Sequence, residues 1–290
     1  MLITNKKKEQ HYMSTTTTGN PLKKYYRSPK LYITLPSAGK FNKVSDEAMN
    51  GELPVFAMTS KDELLLRNPD ALLNGDAVVQ AIKSCVPAIK DPTQLPVCDI
   101  DLILIAIRQA TYGEIMEAKL KSPHSGKTDS YDVNLSAIID NVQTLPDETH
   151  VTLNSGCTVY VRPFSYTIQT RLNLLAFDQA KTIRDVGEVS EKSSQQFKAM
   201  FLKLANTNMD VIAESVVKIT TPEGDEITDL NIIKEFLANL ESVDSKKIDR
   251  RIDELNKAVV NTKQEFACTE TGKTFEAEVK LDPADFFVNS

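Results

Sequence analysis

The chain has 290 residues, of which 41% are hydrophobic and 26% are charged, an ordinary composition for a globular protein with a sizeable core. Its formal net charge of −6 argues against a protein that coats nucleic acid or an anionic membrane, and it favours protein partners. The longest strongly apolar run, residues 100–107, is far shorter than the roughly 20 residues that span a bilayer, so we expect no membrane segment.

The cysteines and the N-terminal sequence predict a protein with reduced thiols. No apolar stretch follows the lysine cluster at residues 6–8, so we expect no secretory signal and a cytoplasmic site of synthesis. The four cysteines are scattered without a CxxC pair, which favours free thiols over disulfides. No local motif supports a cysteine–histidine nucleophile pair.

The first 30 residues predict a flexible basic arm. Residues 1–20 nearly lack large apolar side chains and cannot offset the entropy of folding by burial. The segment PLKKYYRSPK at 21–30 is suited to contact with phosphate or an acidic protein groove, or it is a solvated approach to the first strand. Its candidate contact residues are Lys23, Lys24, Tyr25, Tyr26 and Arg27.

The N-terminal part predicts a short strand followed by helices. Alternating apolar residues from Leu31 to Leu35 indicate the strand, and Thr59 or Ser60 can cap the first helix. Further helices are expected at about 70–74 and 76–86. The segment 95–113 is the clearest core element, because apolar residues surround nearly the whole helix and Gly113 stands where it should end.

The rest of the chain predicts hairpins and amphipathic helices. Hairpins are expected at about 114–135, 150–164, 216–230 and 264–281, from alternating residues around turn signals. Helices are expected at about 136–142, 165–183, 193–216 and 230–240 from apolar spacing near 3.6. Asp244 and Ser245 can cap a final helix whose polar face is either solvated or docks a partner.

Two of these hairpins have related sequences. SGKTDSYDVNL from Ser125 aligns with TGKTFEAEVKL from Thr271, and the same register places Ser122 over Cys268. Each turn therefore keeps the frame of a metal knuckle whose first and fourth positions would be cysteine. Two facing knuckles of that kind would form a four-thiolate structural zinc site.

The residues at the knuckle positions predict that no metal or other cofactor is bound. The four positions are Ser122, Ser125, Cys268 and Thr271, and three of them carry hydroxyls, which are poor zinc ligands. His124 adds only one further donor. A phosphate loop is also excluded, because the glycine that should stand five residues before each GKT is absent.

Several motifs, in the same order along the chain, resemble a known family. The helix DIDLILIAIRQATYG, the two CxxCG-like turns, the phrase YDVNLSAIID and the terminal LDPADFF resemble the baseplate hub assembly proteins of T-even-type contractile-tailed bacteriophages. Several members of that family keep cysteine pairs at both turns, from which this sequence departs at Ser122, Ser125 and Thr271. The resemblance covers residues 30–145 and the last 25 residues, and extends over 150–262 by position only.

The resemblance implies a non-enzymatic role in building the contractile tail. Its partners would be the hub, spike, tube or tape-measure proteins. The protein would contact them in the host cytoplasm during assembly, and it would then either remain in the virion baseplate or leave. A closely related alternative is a chaperone for the tape-measure protein that leaves before the tail is finished.

Two function classes of other kinds are weaker. A tail-associated hydrolase is suggested by the carboxylates of DIDL and DPAD, but Asp99 and Asp101 are more simply helix caps, and Asp282 and Asp285 more simply cap the last turn. A nucleic-acid-binding module would use the basic arm, and the acidic remainder argues against it.

We therefore predict an α+β protein in which the hairpins at 114–135 and 264–281 lie side by side in one small antiparallel sheet, as zinc-ribbon-like hairpins that have lost their ligands. Residues 31–150 with 264–290 would form the α+β domain, and 151–263 a mainly helical insertion or second subdomain. Phe286 and Phe287 at the end of the chain are candidate partner contacts.

Overall fold

A computed structural model describes residues 21–41, 51–185, 191–257 and 260–279. The fold is α+β with small antiparallel sheets, as the sequence predicts. Predictions for residues 1–20, and those for Asp282, Asp285, Phe286 and Phe287, lie outside the described residues.

The described secondary structure follows the predicted order, with one additional strand after the first. The strands are β1 Pro29–Ile33, β2 Leu53–Phe56, β3 Ile115–Lys121, β4 Thr128–Asn134, β5 His150–Thr152, β6 Thr158–Val161, β7 Val216–Thr220, β8 Glu226–Ile227, β9 Lys263–Ala267 and β10 Thr274–Glu278. The α-helices are α1 Ser60–Leu66, α2 Pro69–Leu73, α3 Asp76–Cys85, α4 Val97–Tyr112, α5 Leu135–Asp140, α6 Tyr166–Asp185, α7 Glu191–Ser215, α8 Leu230–Ala238 and α9 Ser242–Asn256. Short 3-10 helices cover Pro21–Tyr25 and Pro92–Gln94.

Helix α4 lies at the centre of a first hydrophobic core. Its apolar residues are buried on all sides, as expected for a helix without a polar face. The core also takes residues from β1, β2, α3 and the β3–β4 and β9–β10 hairpins, so it joins the stretch from Ile33 to Ile138 with the stretch from Val260 to Val279.

The predicted caps of two helices are corrected by the structure. Helix α4 begins after Pro96 without a side-chain cap, and Asp99 is instead bonded to Ser37. Helix α9 begins after Glu241, so Asp244 lies within its first turn and accepts the N–H of Asn154. In both cases the carboxylate predicted as a cap accepts a hydrogen bond from a residue that is distant in the sequence.

The β3–β4 and β9–β10 hairpins lie against each other, but the prediction that they share one sheet is wrong. Each pair is a separate two-stranded sheet with its own ladder. The rings of Tyr131, Phe266 and Phe275 stand between them, with centroids 5.5 to 6.0 Å apart. These rings keep the two backbones at side-chain distance, which is too far for a ladder of backbone hydrogen bonds.

A second hydrophobic core lies in the middle of the chain, between Leu153 and Leu255. It is built on a sheet with the strand order β5-β6-β7-β8, against which residues from α7, α8 and α9 pack. The predicted mainly helical region therefore also contains a sheet, whose two hairpins occur at the predicted places.

Backbone hydrogen bonds connect the start of α6 to the first core. The N–H of Val97 donates to the carbonyl of Phe164, and the N–H of Tyr166 donates to the carbonyl of Leu95. The N–H of Phe164 also donates to the side chain of Asn256 at the end of α9, over 2.7 Å. Residues 164–166 thus contact both the first core and the end of helix α9.

Among the helices within the described ranges, none combines the length and the apolar character needed to cross a membrane.

Candidate functional site

The turns of the two hairpins have the same backbone geometry. In each turn, the residue at the first knuckle position donates its N–H to the carbonyl of the lysine five residues later, and its own carbonyl accepts the N–H of the glycine four residues later. The bonds are Ser122 to Lys127 and Gly126 to Ser122, both 2.9 Å, in the first turn, and Cys268 to Lys273 at 2.9 Å and Gly272 to Cys268 at 2.8 Å in the second.

The fourth knuckle position and the glycine are also used identically. The hydroxyl of Ser125 accepts the N–H of Lys127, and the hydroxyl of Thr271 accepts the N–H of Lys273, over 3.3 and 3.4 Å. The glycines have φ of 71° at Gly126 and 67° at Gly272, where a left-handed conformation favours glycine. The alignment of the two turns in the sequence therefore corresponds to a real structural equivalence.

The structure brings three of the four knuckle positions together around the sulfur of Cys268. Hydrogen bonds from the side chains of Ser122 and Thr271, and from the backbone of Thr271, lower the pKa of the Cys268 thiol to about 6. The side chains of Ser122 and Cys268 are buried. Hydrogen-bond donors therefore occupy the surroundings of the sulfur, where a metal site would require further ligands.

The residues around Cys268 offer a poor set of metal ligands. A single thiolate with neighbouring hydroxyls lacks the soft or imidazole ligands that zinc needs. The Nε2 atom of His124 is 3.0 Å from the carbonyl of Thr274, to which it is hydrogen-bonded. Across the described ranges, no group of three or more histidine, cysteine or acidic side chains is arranged to hold a metal ion.

Side chains around the turns connect the hairpins further. Lys127 forms an ion pair with Glu270, and the hydroxyl of Thr269 donates to Asp129 over 2.7 Å. At the other end of the strands, the side chain of Gln264 accepts the N–H of Asn134 and donates to its carbonyl, over 3.1 and 2.7 Å. The paired hairpins are thus held together at both ends and by the aromatic rings between them.

The N-terminal contact candidates have different environments. Lys24, Tyr25 and Tyr26 are exposed, and the Lys24 ammonium lies 4.9 Å from the ring centroid of Tyr25. Lys23 belongs to the 3-10 helix, although its side chain is outside the description. Arg27 instead contacts the body of the protein, where its guanidinium donates to the carbonyls of Ala57 and Ser84.

Sequence reasoning did not anticipate the residues that receive Arg27. Its guanidinium is 3.7 Å from the carboxylate of Asp62, which is buried and also accepts a hydrogen bond from the hydroxyl of Ser84. Asp62 completes the cap of α1 with Thr59, which the local sequence does predict. No local signal connects Arg27 to a site 35 residues further along the chain.

Of the carboxylates suggested for hydrolysis, Asp99 and Asp101 lie within the described residues. Asp99 is fully buried and accepts both the N–H and the hydroxyl of Ser37, over 2.9 and 2.5 Å. Burial raises the pKa of Asp99 and that of Asp101 to about 6. The structure uses Asp99 to hold the loop after β1 on the first turn of α4.

Comparison with models of known protein families gives a match over residues 29–288, to a family described as T4 bacteriophage base plate protein. Neither the curated proteins nor the solved structures contain a significant match. The matched residues include both cores and both members of the hairpin pair. The chain therefore belongs to the T4 bacteriophage base plate protein family.

Proposed function

We propose that the chain is a non-enzymatic component or assembly factor of the baseplate hub of a contractile-tailed bacteriophage, acting through protein–protein contacts. The observation that carries this proposal is the family match over nearly the whole chain, which indicates a baseplate structural or assembly role. The hub is the finer assignment, which follows from the resemblance of the helix at 99–113, the turns and the terminal motif to hub assembly proteins.

The paired hairpins support a structural role. They connect chain segments that lie about 130 to 150 residues apart, through side-chain bonds between positions such as Asn134 and Gln264 or His124 and Thr274. We interpret the pair as zinc-ribbon-like hairpins in which hydrogen bonds to Cys268 have replaced the metal. Such a junction would give a firm platform for contacts with neighbouring tail proteins.

The proposed organisation follows the two hydrophobic cores. Residues 31–150 with 264–290 would form one α+β domain, since they supply most of the first core. Residues 151–263 would form an inserted subdomain around the second core. An insertion of this kind would present a second surface to partners without interrupting the hairpin pair.

The proposed contacts are the basic segment with Lys23, Lys24, Tyr25 and Tyr26 at one end of the chain, and Phe286 with Phe287 at the other. The exposure of Tyr25 and Tyr26 supports the first, because aromatic side chains are enriched at protein interfaces. Arg27 would contribute by orienting this segment, given its bonds to Ala57 and Ser84.

The experiment that tests the proposal is affinity purification of the tagged full chain from infected host cells. We expect a hub, spike, tube or tape-measure protein as the main partner, found in the host cytoplasm during assembly. Isolation with proteins that have no role in the tail would contradict the proposal. A chain tagged at the same terminus but carrying Tyr25→Ser and Tyr26→Ser provides the matched control for the N-terminal contact.

Mass spectrometry of purified virions separates the component from the transient factor. A baseplate component should be present in mature particles in a fixed ratio to other baseplate proteins. A tape-measure chaperone should be present in infected cells and absent from the particles. The buried Asp99, bonded to Ser37, supports the non-enzymatic assignment, and hydrolysis of cell-wall or nucleic-acid substrates that is lost in Asp101→Ala would contradict it.

A further inference from the structure

The segment from Pro21 to Lys30 places apolar and basic side chains together in solvent. Leu22, Tyr25 and Tyr26 are 60%, 74% and 62% exposed, within five residues of one another. The segment contains four basic residues and no acidic one, although the chain as a whole is acidic. It is a basic, aromatic surface on an acidic protein.

This surface is held in a defined position. Arg27 donates to the carbonyl of Ser84 at the end of α3 and to the carbonyl of Ala57, over 2.5 and 2.6 Å. Immediately afterwards, Pro29 begins the strand β1, which pairs with β2. A segment that is fixed in this way loses less conformational entropy on binding than a free arm would.

A surface of opposite charge lies on the second core, between residues 221 and 243. This stretch contains one lysine, Lys234, whose ammonium is 2.6 Å from Asp210. Apolar side chains are exposed on the same elements, with Ile232 55% exposed on α8 and Val243 59% exposed on α9. Its acidic residues are Glu223, Asp225, Glu226, Asp229, Glu235 and Glu241.

Helical spacing places acidic and apolar groups of this stretch side by side. Ile232 and Glu235 are three residues apart on α8 and therefore lie on one face, and both are exposed. Glu241 and Val243 follow at the start of α9, and both are also exposed. We call residues 221–243 with these exposed groups the acidic face.

We propose that the segment 21–30 of one copy of the chain docks on the acidic face of a second copy. Basic groups would meet acidic groups, and Tyr25 would cover apolar residues of α8 and α9. Both surfaces are exposed in the single chain, so neither covers the other within one copy. This inference rests on the proposed role of the segment as a protein contact, and it names the partner.

The contact would be heterologous, since two different surfaces of the chain meet. A heterologous contact either closes into a ring or continues as a chain of subunits. Because the contact includes groups of opposite charge, it should weaken as salt screens the charges. Because it forms between two copies of the chain, it should not require any other protein.

Sedimentation velocity on the purified full chain tests this inference. We expect association that increases with protein concentration at about 0.05 M ionic strength and weakens at about 0.5 M. Tyr25→Ser should weaken the association on the order of tenfold, as expected for an aromatic anchor in an interface. Leu64→Ser, at a residue that is 68% exposed on α1, is the matched control and should leave association unchanged.

Charge reversal gives the decisive comparison. Lys24→Glu with Lys30→Glu cancels the net positive charge of the segment, and Glu235→Lys with Glu241→Lys removes most of the negative charge of the acidic face. Each double variant should fail to associate alone, and an equimolar mixture should associate, because each variant keeps the surface that the other has lost. Lys61→Glu with Lys90→Glu changes the charge by the same amount at exposed sites elsewhere and should behave as the unmodified chain.

Three results would overturn the inference. They are a monomer at every concentration, association that Tyr25→Ser leaves unchanged, and a mixture of the charge-reversed variants that stays monomeric. All of these concern the isolated chain, so the proposed baseplate function would stand if affinity purification still recovered tail proteins. Circular dichroism of each variant confirms that its fold is retained.

Discussion

Two buried ionisable residues of the first core have pKa values displaced in opposite directions. Burial raises the pKa of Asp99 from 3.8 to about 6, although Ser37 donates two hydrogen bonds to its carboxylate. Donors around Cys268 lower the pKa of its thiol from 9.0 to about 6. The difference arises because desolvation dominates at Asp99, whereas hydrogen bonds to the charged form dominate at Cys268.

The unmodified chain should lose stability as the pH rises from 3.8 to about 6, and the substitution Asp99→Asn should abolish this loss. In that range the folded carboxyl is protonated while the unfolded one is ionised, so its contribution is full at low pH and is lost as the pH rises through about 6. The shift corresponds to roughly 3 kcal/mol at most. Denaturant unfolding at a series of pH values should show the variant gaining on the unmodified chain across this range.

The comparison has a built-in control. Asp101 has its pKa raised in the same direction, and it is present in both chains, so its effect cancels in the difference. The asparagine keeps an acceptor for the N–H of Ser37 and can donate to its hydroxyl. A difference in stability that is constant with pH would show that folding does not raise the pKa of Asp99, and would contradict the prediction.

The unmodified chain should gain stability as the pH rises from about 6 to 9.0, and the substitution Cys268→Ser should abolish this gain. Over this range the folded thiol is ionised and the unfolded thiol is protonated, so the contribution is present above pH 9.0 and is lost as the pH falls through about 6. The free energy of unfolding of the unmodified chain should therefore rise with pH relative to the variant. Cys157→Ser, at a partly exposed cysteine, should keep the rise.

At the scale of the elements, sequence patterns predicted the features that residues close together in the sequence determine. Alternation and helical spacing placed the hairpins and helices, and of the two predicted caps of α1, Thr59 or Ser60, the structure uses Thr59. The partners of Asp99 and Asp244 were missed, because Ser37 and Asn154 lie 62 and 90 residues away in the sequence. No local pattern specifies contacts over such distances.

The hairpin pair shows the same limit within one site. Internal alignment predicted the equivalence of the turns and the proximity of the hairpins. It could not predict that Tyr131 and two phenylalanines would separate the sheets, since ring orientation depends on packing across both hairpins. The hydrogen bonds to Cys268 likewise follow from side-chain placement that the sequence alone does not give.

Gln264→Ala should loosen the hairpins at the end away from the turns. The substitution removes both hydrogen bonds to the backbone of Asn134, which are exposed, so we expect a loss of about 0.5–2 kcal/mol of unfolding free energy. Hydrogen exchange at the amide of Asn134 should become faster. Glu265→Ala, at the exposed neighbouring position of β9, should leave that amide unchanged.

Replacing three hydroxyl residues by cysteine should create a metal site if the hairpins have zinc-ribbon-like geometry. Ser122→Cys, Ser125→Cys and Thr271→Cys together with Cys268 would supply four thiolates from two facing turns. Zinc should bind with a stoichiometry of one and raise the unfolding temperature, and cobalt should give the absorption of a tetrahedral thiolate complex.

The matched control is the same triple variant with Cys268→Ser, which removes the natural thiol and should weaken binding strongly. A triple variant that folds but gives no tetrahedral cobalt spectrum would show that the four positions do not converge. In that case the equivalence of the turns would be limited to their backbone bonds.

At the scale of the whole molecule, helix α6 connects the two cores. The side chains of Tyr166 and Thr170 near its start approach Gly75, which precedes α3 in the first core. Further along α6, the guanidinium of Arg171 pairs through two nitrogens with the carboxylate of Glu214 on α7, over 3.0 and 3.1 Å. A change at Gly75 should therefore affect how the second core is held against the first.

Gly75→Ala should destabilise the protein by about 1–4 kcal/mol, for two separable reasons. Its φ of 80° is left-handed, which costs a residue with a Cβ roughly 1–2 kcal/mol, and the added Cβ would lie 2.8 Å from Thr170 Oγ1 and 3.0 Å from Tyr166 Cε1. Gly51→Ala isolates the first cause, because Gly51 has the same φ of 80° and nothing lies within 4 Å of the added carbon. Thermal and denaturant unfolding should show a larger loss at Gly75, together with faster hydrogen exchange at the start of α6. Equal losses at the two glycines would mean that α6 yields without cost, and that the close approach of Tyr166 and Thr170 contributes nothing to holding the two cores together.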